Sequence, residues 1–295
     1  MQTPTINDDD QGFRILFGLW QHLQSLQLGG TPTFSETVLF DFSSCGFLQQ
    51  NAVAFLGGMA LYVDREGGKP EFDWDSLRAD VRKNLAQNGF MKAFGHAQPP
   101  WEGNSIPYKA AILHDPKSMV SFLREKWLGR DWIAVTDQVR NGIVGSVLEI
   151  YNNAFEHSRS PIGITICGQR YPNLGRLALT IVDFGVGIPG NVRSYQGNKA
   201  LTAEDALRWA FSRGTTTVAN PPTSRRLGLH LLKEFVTQND GRLVVYSGSA
   251  RCTIELQLED FSGSAFGFMG TVVNISVACD ETCYNRRSID MDAQF

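Results

Sequence analysis

The spacing of apolar residues predicts alternating helices and strands in the first part of the chain. Apolar side chains three and four residues apart are typical of a helix, and short β-branched or aromatic runs are typical of a strand. The predicted elements are, in order, a helix over residues 13–28, a strand over 37–42, a turn at 43–46, a buried helix over 48–62 and an amphipathic helix over 76–88. This order indicates a small α/β unit.

The rest of the chain begins with helices and ends with strands. Residues 96–104 have no periodic pattern and contain two prolines, so a loop is predicted there and a domain boundary near residue 115. Beyond it the predicted elements are, in order, helices over 118–128 and 132–157, strands over 162–168 and 177–183 joined by a Pro/Gly turn, helices over 203–211 and 227–237, and strands over 242–247, 252–258 and 271–277. This pattern predicts a second α/β domain.

The composition is that of a globular protein with two domains. The 295 residues are 42% apolar and 19% charged, and the chain is long enough for two hydrophobic cores. The net charge of -3 gives no basic surplus, so no nucleic-acid partner is expected. The expected division is a disordered tip at 1–10, an α/β domain over 11–115, a second domain over 116–280 and a tail at 281–295.

Neither export nor a membrane partner is expected. The first residues lack the positive and apolar regions of a secretory signal, and the most apolar segment, 52–63, is shorter than the about 20 residues of a membrane span. Five cysteines without a C-x-x-C pair indicate reduced thiols and a cytoplasmic protein. Cys279 and Cys283 have no His or further Cys near them in sequence, which disfavours a metal site there.

The helix predicted over 132–157 carries a polar stripe. Glu149, Asn153 and His157 are four residues apart and therefore share one helix face. An amide oxygen suits Mg²⁺, which makes Asn153 the candidate metal ligand. A carboxylate one turn earlier can activate the nucleophile that attacks a γ-phosphate, which makes Glu149 the candidate base. A stripe that merely faces solvent would have the same spacing.

A strand that runs into D-x-G-x-G supplies the next candidate. Asp183 ends a predicted strand, and Gly185 and Gly187 follow it. A carboxylate there can accept a hydrogen bond from an exocyclic amine, and glycines let the backbone approach a flat ring, which suits adenine. Asp and Gly also mark ordinary turns. Thr271 follows Gly270 at the start of the last predicted strand, where its hydroxyl can reach a base or its water.

Phosphate chemistry is suggested where a loop enters the helix predicted over 227–237. Arg225, Arg226, Gly228 and Leu229 lie at this entry. A helix N-terminus offers free N–H groups and a positive dipole to phosphates. The two arginines could equally belong to a solvated loop.

In this order, the four segments resemble the N box, the two glycine boxes and the final Gly-Thr of the GHKL superfamily, the ATPase fold of histidine kinases, anti-sigma serine kinases and gyrase. The resemblance covers residues 141–278. It implies a two-layer α/β sandwich of the Bergerat type, with a mixed sheet and helices on one face, which binds ATP and Mg²⁺ under a mobile lid at 188–227. Many members have glycine where this chain has Arg226, so the phosphate turn is atypical.

The N-terminal segment 38–52 resembles the strand, turn and helix of STAS domains, which are small α/β modules that pair with anti-sigma-type kinases. This likeness covers about residues 11–95, and ordinary α/β packing gives the same order of elements. In regulatory STAS proteins a serine at the helix start accepts phosphate, whereas residues 48–51 contain no hydroxyl. The resemblance therefore implies that this domain is not the phospho-acceptor.

Two functions remain open from the sequence. The first is Mg²⁺-dependent ATP hydrolysis or phosphoryl transfer to a protein serine in a regulatory switch. The second is a non-catalytic switch in which ATP changes the conformation or the contacts with a partner. Both imply a protein partner or regulator, and a homodimer is compatible with either. Histidine autokinase activity is disfavoured, because the His114-Asp115 pair is followed at once by Pro116, which would break a helix.

Overall fold

A five-stranded antiparallel sheet forms the centre of the computed structural model, which describes residues 1–27, 37–212, 228–238 and 240–279. Its strands are β3 (Ser105–Ala111), β4 (Ile164–Tyr171), β5 (Arg176–Asp183), β6 (Arg242–Glu255) and β7 (Leu258–Ala278). Their spatial order is β3–β4–β5–β7–β6, and every neighbouring pair is antiparallel. Here β1 and β2 denote two earlier strands outside this sheet. The strand β5 lies in the centre of the sheet, and its last residue, Asp183, is paired with Thr271 of β7.

Both faces of the sheet are covered, as the continuous burial of β5 requires. All its residues after Arg176 are buried, which is typical of a strand between two layers. Leu179 and Ile181 point to one face, where they join a core that we call the first core. Val182 points to the opposite face and joins the second core. A period of two along the strand thus divides the same sequence between two cores.

Helices from the C-terminal part pack on the first core. They are α5 (Pro116–Phe122), α6 (Asp137–His157), α8 (Ala203–Ala210) and α9 (Gly228–Gln238). Pro116 occupies the first turn of α5, where its missing N–H costs no hydrogen bond, and Asp115 caps this helix. The long helix α6 packs against α9 and ends at Ser158, close to the end of β5.

The second core lies between the sheet and the N-terminal segment. Its helices are α1 (Asp10–Ser25) and α2 (Gln50–Arg65). Phe184, which follows β5, packs edge-on against Trp20 with ring centroids 4.9 Å apart, and lies 5.2 Å from Phe55. Gly58 of α2 allows this contact, since a Cβ there would lie 2.1 Å from the Phe184 ring. The N-terminal helices are therefore part of the same packed body as the sheet.

The N-terminal segment is a βαβ unit, of which the sequence predicted the first strand and the helix but not the second strand. The strands β1 (Thr37–Asp41) and β2 (Lys69–Asp73) are parallel neighbours, and α2 crosses between them. Two further helices follow, α3 (Ala79–Gln87) and α4 (Phe90–Ala93). The predicted strand, turn and helix of this segment are confirmed. The likeness to STAS domains stays a prediction.

The first ten residues are ordered, in contrast to the expected disordered tip. Ile6 is fully buried, and the Thr3 N–H donates to Asp41 O at 2.7 Å. The half-buried carboxylate of Asp8 accepts hydrogen bonds from Asn274 Nδ2 at 2.7 Å and from Gln50 Nε2 at 2.8 Å. These hydrogen bonds join the N-terminus, α2 and β7, and they compensate the carboxylate for the water that it loses.

The predicted α/β sandwich is confirmed, with two differences from the expected layout. The sheet is antiparallel instead of mixed, and helices cover both of its faces instead of one. The strand β3 was not predicted. The domain boundary predicted near residue 115 would separate this strand from β4, with which it pairs in the central sheet. The strand predicted over 252–258 instead crosses the turn at Leu256 and Gln257, both with positive φ, that joins the long strands β6 and β7.

Within the described ranges, no helix combines the length and the apolar character that crossing a membrane would require.

Candidate functional site

Asp183 is a buried carboxylate at the end of the central strand. It is 6% exposed, and the alternation along β5 directs it to the face that α6 covers. Its Oδ1 accepts a hydrogen bond from the Gly185 N–H at 2.9 Å. Thr271 is its partner in the register with β7, and Thr271 and Ser158 also hydrogen-bond to the carboxylate. These three hydrogen-bonding groups, none of which is cationic, fix the position of the carboxylate.

Burial raises the pKa of Asp183 to about 7, while the hydrogen bonds from Gly185, Thr271 and Ser158 act in the opposite direction. Desolvation therefore outweighs hydrogen bonding at this carboxyl group. Near neutral pH both protonation states are populated, so a ligand that donates a hydrogen bond can select the ionised form.

The glycines around Asp183 are required by close backbone contacts. A Cβ at Gly185 would lie 1.9 Å from the carbonyl oxygen of Ser158, which accepts the Val186 N–H at 2.7 Å. Gly187 has a φ of +70°, and a Cβ there would lie 2.5 Å from Met269 O. Glycine at both positions lets the loop after β5 press against the end of α6 and against β7.

Two serines support this loop, and the sequence reasoning missed both. Ser158 ends α6 and contacts the Asp183 carboxyl group. Ser247 Oγ accepts the Ile188 N–H at 2.8 Å and lies 3.0 Å from Thr271 Oγ1. Ser247 ends a predicted strand, and Ser158 follows a polar helix stripe, but serine at either place is common in turns.

The two α6 candidates lie on the helix that ends at this loop. Asn153 is exposed and Glu149 is half-buried. Asn153 precedes Ser158 by five residues, about 7.5 Å along the axis, and Glu149 precedes it by nine, about 13–14 Å. The helix therefore places both side chains at increasing axial distance from its end at the Asp183 loop.

The second glycine segment is described only in part. Gly228 begins α9, and Leu229 packs against the first core. Arg225 and Arg226 lie outside the described residues, as does the 213–227 part of the expected lid. The described part of that lid contains α7 (Gly187–Gln196), which was not predicted, and α8.

The residues near the site could bind only a metal ion that takes most of its ligands from water and substrate. No group of three or more His, Cys, Asp and Glu side chains that could hold a metal occurs within the described ranges. The exposed Asn153 offers a single amide oxygen. Mg²⁺ keeps waters and substrate phosphate oxygens in its coordination shell, so one protein oxygen is compatible with it.

We expect the raised pKa of Asp183 to make the ligand-free protein less stable as the pH rises from about 4 to about 7. In this range the unfolded chain has lost the proton near 3.8, whereas the folded protein keeps it until about 7. The stabilisation is therefore complete below the unfolded pKa and absent above the folded one. Urea unfolding of the wild type and of Asp183→Asn across this range measures it. A difference between the two proteins that does not vary with pH would contradict the assignment.

Comparisons with known proteins give little similarity. No family model matches the sequence, and no curated protein matches it. Among solved structures, the chain is similar to the topoisomerase IV ATP-binding domain of Francisella tularensis in complex with a small-molecule inhibitor, with 11% identity and a TM-score of 0.29. The match covers 65% of this chain and 47% of that structure, so it spans about half of the other chain. At these values the likeness places the chain in no family, and the chemistry of the site rests on its own geometry.

Proposed function

We propose that this protein binds ATP together with Mg²⁺, as the resemblance to the GHKL superfamily implies, in a regulatory role. The observation that carries the proposal is the buried Asp183 carboxylate, which is held by hydrogen-bond donors beside a loop whose glycines admit close backbone approach. Asp183 would accept a hydrogen bond from the exocyclic amine of adenine. Such a bond to an ionised group contributes about 1.5–3 kcal/mol.

The assignment of the remaining groups follows from their order along α6. With adenine at Asp183, a nucleotide that extends along the helix brings its phosphates toward Asn153 and Glu149. Asn153 would supply an amide oxygen to Mg²⁺, and Glu149 would accept a proton from the attacking water or hydroxyl. The N-terminus of α9 at Gly228 would contribute N–H groups to the phosphates.

Calorimetry tests the proposed ligand. The wild-type protein is titrated with ATP and with inosine triphosphate, each with Mg²⁺. Inosine carries a carbonyl oxygen in place of the adenine amine, so it presents an acceptor to the acceptor Asp183. We expect at least tenfold weaker binding of inosine triphosphate, which is about 1.4 kcal/mol. Equal affinity for the two nucleotides would remove adenine from the Asp183 site, and no binding of either would reject the proposal.

Turnover distinguishes an enzyme from a switch. For Glu149→Gln we expect ATP affinity within about threefold of the wild type, with phosphate release reduced by about 100-fold or more, since a positioned base contributes on the order of 10²–10⁴ in rate. The measurement uses γ-labelled ATP in the presence of lysate proteins, so that hydrolysis and transfer to a protein are both detected. Gln138→Glu, a charge change near the opposite end of α6, is the control.

The alternative function is a switch that binds ATP without turnover. This alternative is favoured by the packing of Phe184, the neighbour of Asp183 in sequence, against Trp20 and Phe55 of the N-terminal helices. A nucleotide that shifts the loop after β5 would then also change the packing of these helices. Wild-type protein that binds ATP but neither releases nor transfers phosphate would support the switch and reject the enzyme.

A further inference from the structure

A cleft lies far from the Asp183 loop, where the segment before α6 meets the end of β4. Its volume is about 420 Å³, and its lining includes Trp132, Ile133, Arg140 and Arg170. Arg140 lies in the first turn of α6, eighteen residues before Ser158, which corresponds to about 27 Å along the helix axis. The cleft is therefore separate from the proposed nucleotide site.

Two guanidinium groups in this cleft have unused hydrogen-bonding capacity. The Nε atoms of Arg140 and Arg170 are buried without a hydrogen-bond partner within the described ranges. Arg140 has one ion pair, 3.5 Å long, with the exposed Asp137. No ion pair or hydrogen bond of the Arg170 guanidinium is found in the same part of the chain, and this group instead lies over the Trp132 ring at 5.7 Å. Partly buried positive charge without an acceptor is costly unless an anion supplies one.

A third arginine shows the contrast. The Nη atoms of Arg130 donate to Ser105 O at 3.0 Å and to Gly103 O at 2.7 Å. Its guanidinium lies 4.1 Å from the centre of the Trp132 ring. The hydrogen bonds of Arg130 are thus used at the start of β3, whereas Arg140 and Arg170 line the cleft and each has an Nε without a partner in the described ranges.

The charges around the cleft favour an anion. Asp131 contributes one exposed carboxylate to the lining, and Asp137 points into solvent with 93% of its side chain exposed. The cleft also contains the guanidinium groups of Arg140 and Arg170, each of which can donate two parallel hydrogen bonds to a carboxylate or phosphate. Trp132 and Ile133 offer apolar surface beside them. A cleft of this volume is in the range of small-molecule sites, about 300–1,000 Å³.

We infer that this cleft binds a small organic anion, whose carboxylate or phosphate group is held by Arg140 and Arg170 and whose apolar body contacts Trp132. The inference is independent of the proposed nucleotide function, because it rests on other residues at the other end of α6. A role as a second ligand site follows, distinct from the site for ATP.

The test uses benzoate and phenyl phosphate as probes, since they share an apolar ring and differ in the anionic group. The indole N–H resonance of Trp132, identified by its loss in Trp132→Phe, is followed in ¹H–¹⁵N spectra during each titration at constant ionic strength. We expect a saturable shift with at least one probe, and at least fivefold weaker binding in both Arg140→Gln and Arg170→Gln. Saturation by one probe alone identifies carboxylate or phosphate as the preferred group.

Matched controls keep the outcome decisive. Arg78→Gln removes an arginine of the N-terminal segment and should leave binding unchanged, and Arg170→Lys, which keeps the charge without the fork, should bind with intermediate affinity. Saturating ATP and Mg²⁺ should not compete. A shift that is linear in concentration, that chloride reproduces, or that both glutamine variants retain would overturn the inference.

Discussion

Replacement of Asp183 by Asn is expected to weaken ATP binding at least tenfold and, at pH 8, to stabilise the ligand-free protein. Asn keeps one neutral acceptor oxygen, which the Gly185 N–H already uses, and places an NH₂ donor where the adenine amine needs an acceptor, so the loss approaches that of a hydrogen bond to a charged group, about 1.5–3 kcal/mol. The stability change has the opposite sign because Asn removes a buried charge. A pKa displaced from 3.8 to about 7 corresponds to at most roughly 4 kcal/mol, and rearranged hydrogen bonds from Gly185 and Thr271 reduce this gain.

Calorimetric titration with ATP and Mg²⁺ measures the first effect, and urea unfolding at pH 8 measures the second. Asp8→Asn is the matched control, since Asp8 is a half-buried carboxyl group whose pKa is also raised by desolvation, but its hydrogen bonds are to Asn274 and Gln50. That variant should change stability and leave ATP affinity unaltered. Asp183→Asn protein with wild-type ATP affinity would disprove the adenine contact, whatever its stability.

Gly58→Ala is expected to destabilise the protein by about 1–3 kcal/mol, the usual cost of overpacking a core. The added Cβ would lie 2.1 Å from Cε2 of Phe184. The ring cannot move aside easily, because Trp20, Phe55 and Phe268 lie around it with ring centroids 4.9, 5.2 and 5.2 Å away. The strain should therefore be distributed over α2 and the loop after β5.

Gly18→Ala in α1 provides the same chemical change without the contact, since no atom lies within 4 Å of a Cβ built there. It should stabilise the protein by up to about 1 kcal/mol through helix propensity. Thermal unfolding of the two variants compares these opposite signs. Because Phe184 is bonded directly to Asp183, Gly58→Ala should also weaken ATP binding, whereas Gly18→Ala should not. Equal stability of the two variants would show that the ring contact is not tight.

Helical periodicity predicted α1, α2, α6, α8 and α9, which bury one face each, and continuous apolar runs predicted β4 and β5, which are buried on both faces. The sequence could not predict β3, since Ser105–Ala111 includes a proline and has a bulge in its pairing with β4. The end of the predicted strand over 252–258 was misplaced for a similar reason. Leu256 and Gln257 form the turn with positive φ, a conformation for which glycine or asparagine is the usual signal.

The sequence predicted a site residue only where its residue type is uncommon for its position in a strand or loop. Asp183 at a strand end with two following glycines is such a signal, and the tight contacts of Gly185 and Gly187 give it a physical cause. Ser158 and Ser247 could not be identified, because they act through contacts between α6, β6 and β7 that lie far apart in sequence. The packing of α1 and α2 on the second face of the sheet could not be predicted either, since the apolar face of a helix does not identify the surface on which it packs.

The aromatic contacts of the N-terminal helices have a consequence for synthesis on the ribosome. Phe17 stacks on Phe268, with 5.4 Å between ring centroids, so α1 completes its core only when β7, the last strand of the described residues, has emerged. Until then the nascent chain exposes the aromatic face of α1, which carries Phe13, Phe17 and Trp20, because the β7 surface on which this face packs is absent. A fragment cut near residue 115 inherits the same exposure from the other side, because its sheet loses both β3 and this cover. The described residues on the two sides of position 115 thus complete a shared core only when both are present.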